Sequence, residues 1–162
     1  MNLAHLHLVL NHLPVVGIPV ALVFLIIGLY QKNIGMERLA LLVLIGLAAV
    51  VLPVYLTGEP AEELIEHMPG VRESFIEAHE DAALVSVVLT LLLGVAASLC
   101  LWFKGDAGKG RLLRLGVVGL GTVAIVSLCY TAYLGGQIRH TELRTADAGS
   151  SIEQPEKIKE GE

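Results

Sequence analysis

Charge is what this sequence lacks first. Asp, Glu, Lys and Arg together make up 17% of the 162 residues, against roughly 25% in a soluble domain. The little charge there is sums to −5, which excludes a basic nucleic-acid-binding surface. Two cysteines, Cys100 and Cys129, cannot build a disulfide scaffold, and no Cys-x-x-Cys or His-Glu-x-x-His spacing occurs. No nucleophile, base and acid stand in a catalytic pattern, so no catalytic residue is assigned. What fills the sequence instead is apolar side chain, 54% of the residues, with a mean hydropathy of +0.70.

The apolar residues come in four long runs, 13–30, 36–57, 82–103 and 115–138, and the last two hold no charge. A bilayer core takes about 20 such residues per helix. A spanning chain must be helical or a closed barrel, and runs this long without period-two alternation are helical. The expectation is an all-α, integral membrane four-helix bundle of up-down-up-down topology. Its spans cover about 8–30, 36–57, 71–103 and 112–140, within one membrane domain, 1–144. The first span has no cleavage-site pattern behind it and reads as a retained signal anchor. Residues 145–162 are polar and aperiodic and read as a disordered tail.

The connectors set an orientation. Lys32 and Arg38 join spans one and two, and Lys104, Lys109, Arg111 and Arg114 join spans three and four. The connector between spans two and three has one cation, Arg72, among Glu59, Glu62, Glu63, Glu66, Glu73, Glu77, Glu80 and Asp81. The positive-inside rule puts the basic loops in the cytoplasm of a bacterium. The acidic connector and both termini then face the periplasmic or outer side of the inner membrane. Thr57-Gly58-Glu59-Pro60 reads as a helix stop followed by a start, which predicts a short outer helix over about 60–68, ended by Pro69-Gly70.

All six histidines fall on the acidic side: His5, His7, His12, His67, His79 and His140. His12, His79 and His140 stand at similar depth on three different spans, where an ionisable group normally faces the bundle or water. His79 shares a stripe with Ala83, Ser86, Thr90 and Ala97, and His140 one with Gly136, Tyr133, Cys129 and Thr122. His5, His7 and His67 read as interfacial residues, with His7 turned away from the line of His5 and His12.

Two imidazoles on different helices can sandwich a haem b. The candidates are His12, His79 and His140, with Gly136 leaving room for the macrocycle and Tyr133 able to hydrogen-bond it. Such a site suits electron transfer between a quinol pool and an outer carrier. The same three histidines could instead hold zinc or copper, with Glu80, Asp81 or Glu59 as a further ligand. His79 and Glu80 above Ser86 and Thr90 could form a polar path, but the span centres carry no acid or base. A purely structural subunit of a larger membrane complex is the remaining reading.

Four stretches carry a likeness. Asn11-His12-Leu13-Pro14, Leu56-Thr57-Gly58-Glu59-Pro60-Ala61, Ala78-His79-Glu80-Asp81-Ala82 and Leu134-Gly135-Gly136-Gln137-Ile138-Arg139-His140 resemble, in order and spacing, the bacterial membrane family called domain of unknown function 2231. The resemblance covers residues 3–141. It implies a small four-helix membrane protein in which His12, Thr57, Gly58, His79 and Gly136 are the positions to watch. It implies no enzyme activity.

Overall fold

The computed structural model describes residues 3–103, 107–140 and 144. The tail expected to be disordered lies outside the described residues, as do Lys104 and the side chain of Lys109. Among the described residues six helices follow one another: α1 (Leu3–Leu10), α2 (His12–Gln31), α3 (Ile34–Leu56), α4 (Gly58–Glu62), α5 (Glu73–Trp102) and α6 (Ala107–Arg139). Four stretches, Leu3–Gln31, Ile34–Leu56, Glu73–Trp102 and Gly110–Arg139, are long and apolar enough to cross a membrane. The protein is a multi-pass membrane bundle with up-down-up-down topology and a short helix between the second and third spans.

Proline explains where the first span breaks. Pro14 has no N–H to give the carbonyl of Leu10, and its ring would collide with that carbonyl. The hydrogen-bond ladder is therefore interrupted at Asn11, between Leu10 and His12, while Asn11 itself keeps right-handed helical angles (φ −63°, ψ −26°). α1 packs on α3 and α4. The second connector departs from expectation in length: α4 closes at Glu62, and residues 63–68 continue as turns bonded Ile65 N to Glu62 O and Met68 N to Ile65 O.

Each span packs on two neighbours in the ring α2, α3, α5, α6. The core is built from one stripe of each: Ile18 and Leu25, Leu41 and Leu44, Leu93 and Ala97, Val117 and Ala124. The outward stripes are apolar too. Val20, Phe24, Val88, Leu92, Val95, Val123 and Val126 are all exposed. A surface of that kind is stable in hydrocarbon and costly in water. Small residues set the closest approaches, as expected where lipid removes the hydrophobic drive between helices. A Cβ on Gly94 would collide with the Cβ of Ala48, and one on Gly121 would stand 2.7 Å from Leu22 Cδ1.

At the basic end an ion pair crosses the diagonal of the ring. Arg114 Nε of α6 lies 2.9 Å from Glu37 Oε2 of α3, with the two side chains 24% and 7% exposed. Gly28 of α2 makes room for it, since a Cβ there would sit 2.9 Å from Glu37 Cγ.

Candidate functional site

At the acidic end, α1, the last turn of α3, α4, the start of α5 and the end of α6 come together. The last carbonyls of a helix lack intrahelical partners, and the end of α3 fills that need with side chains. Thr57 Oγ1 lies 2.8 Å from Pro53 O and 2.9 Å from Val54 O. His7, half-buried on α1, brings Nδ1 to 2.9 Å from Val54 O and 3.3 Å from Thr57 Oγ1. A carbonyl only accepts, so Nδ1 carries the proton and Nε2 is left as the basic nitrogen of the neutral ring.

His79 repeats the arrangement across the bundle. It is half-buried on α5, with Nδ1 3.0 Å from Thr131 O of α6, and its Nε2 is likewise left basic. Gly135 permits this. A Cβ at that position would stand 3.0 Å from His79 Cε1 and 3.1 Å from Nδ1, so a side chain would hold the ring off the carbonyl. His7 and Glu80 are both within electrostatic reach of His79. Below it, hydroxyls join α5 to α6: Ser86 Oγ is 2.7 Å from Ser127 Oγ and 2.9 Å from Thr131 Oγ1. Thr90 lies one turn deeper at 1% exposure.

Carboxyls border the imidazoles. A side-chain hydrogen bond with Glu80 pushes the Glu62 carboxyl up to about 7, helped by burial and by the charges of Glu80, Glu66 and Glu59. Arginines close the connector over the end of α6. Arg144 donates Nε to Gln137 O at 2.9 Å, and Nη2 to Gly70 O at 2.8 Å and Ile138 O at 3.0 Å. Its guanidinium lies 4.7 Å from the centre of the Phe75 ring. Arg139 Nη1 reaches Met68 Sδ at 2.9 Å.

The residues picked out by sequence are thus distributed unevenly. His79 is inside the bundle. His12 is exposed, with Nδ1 2.6 Å from Leu8 O of its own span. His140 is exposed just beyond α6, its N–H bonded to Gly136 O at 3.0 Å. Tyr133 is exposed and its hydroxyl accepts from Gln137 Nε2 at 2.9 Å. Gly136 is half-buried, while its neighbour Gly135 is the one against the His79 ring. Among the described residues no three His, Cys, Asp or Glu side chains gather as a metal site, so His12, His79 and His140 are not brought together. Sequence reasoning passed over His7. Its signal was spacing: His7 lies seven, eleven and eighteen residues before Pro14, Ile18 and Leu25, all buried, so one helical face holds all four.

A family model described as "Predicted membrane protein (DUF2231)" matches residues 4–142, and the chain belongs to that family. No curated protein and no solved structure matches it.

Proposed function

We propose that this member of the DUF2231 family is a membrane redox component. It binds haem b through His79 and His7 and passes electrons between a quinol pool and a carrier at the acidic face. We place that face and both termini on the periplasmic or outer side of a bacterial inner membrane, with the basic loops in the cytoplasm. One observation carries the reading. Two imidazoles from different helices, within electrostatic reach of each other, both spend Nδ1–H on a backbone carbonyl. Metal-ligating histidines are oriented in this way, which fixes the tautomer and raises the basicity of Nε2. The site would supply one-electron chemistry when haem is bound. The absence of a Cys-x-x-Cys-His sequence makes a non-covalent haem the fitting form.

The chain's own contribution is orientation and burial. The Val54 and Thr131 carbonyls hold the rings, and the apolar core beneath excludes water. A second reading, zinc or copper held by histidines of this end, would need side chains to move together, because among the described residues no three His, Cys, Asp or Glu side chains gather as a metal site. Absorbance spectra of the detergent-purified protein, oxidised and then dithionite-reduced, test the first. A Soret band is expected in the wild type, in His12→Ala and in His140→Ala, and is expected to be lost in His79→Ala and His7→Ala. A clean preparation with no Soret band after haem supplementation overturns it. Metal analysis of the same sample then decides for zinc or copper, or for a structural subunit.

A further inference from the structure

At the end of the bundle opposite the histidines, three spans present cations. Lys32 follows α2 and Arg38 lies in the first turns of α3. Arg111 and Arg114 stand three residues apart near the start of α6, a spacing that puts both on one side of the helix. Glu37 is the one acid at this end among the described residues, and Arg114 pairs with it at 2.9 Å. Lys32, Arg38 and Arg111 are exposed. The chain as a whole carries −5, so this is a local excess and not a general attraction for anions.

A second observation fixes the depth of these cations. Tyr30 is 88% exposed and Trp102 82% exposed at the same end of the bundle. Rings with an apolar body and a polar edge settle at the level of lipid headgroups. The cations therefore stand at the depth of the phosphates.

We propose that this face binds the phosphate headgroups of anionic phospholipids in the leaflet it meets, with Arg38 and Arg111 as the principal donors and Lys32 as a point charge. A guanidinium presents its N–H groups in a fork that matches two phosphate oxygens. The pairing of Glu37 with Arg114 removes the one described acid that would repel the headgroup. The assignment is independent of the haem reading.

Native mass spectrometry of the full chain in detergent tests this, with dioleoyl phosphatidylglycerol and dioleoyl phosphatidylcholine as probes. The protein is expected to retain phosphatidylglycerol in preference to phosphatidylcholine. Arg38→Gln with Arg111→Gln should weaken phosphatidylglycerol about fivefold per cation removed and leave phosphatidylcholine unchanged. On the wild type alone, raising salt from about 0.05 M to about 0.5 M should weaken phosphatidylglycerol selectively, which decides the matter even if the double variant folds poorly. Equal retention of the two lipids overturns the proposal, as does retention insensitive to salt or, in a folded double variant, to loss of the two arginines. Full competition by inorganic phosphate would assign a site for free anions and overturn it as well.

Discussion

His79 of α5 holds its Nδ1 3.0 Å from the carbonyl of Thr131 on α6, and Gly135 is the residue that lets it do so. An alanine there would put a methyl 3.0 Å from the ring. Gly135→Ala is expected to push the imidazole off the carbonyl and to cost about 1–3 kcal/mol, as overpacking does. Nitrogen NMR of labelled histidine should show the His79 ring losing its fixed Nδ1–H tautomer. Gly58→Ala is the control, because a Cβ there meets His7 Cε1 at an ordinary 3.8 Å. The His7 ring should keep its tautomer.

Gly94 and Gly46 separate packing from helix propensity. A Cβ on Gly94 collides with Ala48, whereas nothing lies within 4 Å of one on Gly46. Gly94→Ala should force α3 and α5 apart and lower the thermal midpoint in detergent by the equivalent of about 1–3 kcal/mol. Gly46→Ala should leave the midpoint unchanged or raise it, by up to about 1 kcal/mol. Equal effects from the two would mean that the α3–α5 contact does not set stability.

Arg114→Met leaves Glu37 at 5% exposure without its cation. Removing one partner of a buried pair costs about 3–5 kcal/mol, while replacing both by apolar groups is often neutral or better. Thermal unfolding should therefore rank Arg114→Met well below the wild type and Glu37→Met/Arg114→Met near it. Additive losses in the double variant would show that the two side chains act separately.

The connector should respond to pH through Glu62. Its folded value of about 7 stands above the ordinary 4.5, so the fold favours the neutral acid. That contribution is fully present below about 4.5 and is lost as pH rises through about 7. Hydrogen exchange across residues 58–68, corrected for intrinsic rate, should show more protection at about pH 5.5 than at about pH 8.5. Glu62→Gln should remove the difference. A pH response that survives this substitution would place its origin elsewhere.

The spans were legible because their signal is local. Runs such as 82–103 need about 20 apolar residues in succession to cross a bilayer, and the chain carries that length in its own order. The short outer helix was legible from Thr57-Gly58-Glu59-Pro60, though its end was not. Glu63, Leu64 and Ile65 fit one more helical turn as well as the turns they adopt, and only bonds to neighbours distinguish the two. His79 was legible from its stripe with Ser86 and Thr90, which a straight helix preserves.

The face of His7 was in the sequence, since a continuous helix puts it in line with Pro14, Ile18 and Leu25, but its partner, the Val54 carbonyl of α3, was not. By itself the sequence determined four spans, the charge difference between their two ends and the gathering of all six histidines at one of them, since hydropathy and charge add residue by residue. The tertiary structure decided which imidazoles are held. α1 packs on α3, where His7 joins Thr57 at the Val54 carbonyl, and Gly135 opened the Thr131 carbonyl to His79. Those outcomes depend on angles between helices and on which carbonyls need donors, which no run of residues specifies alone.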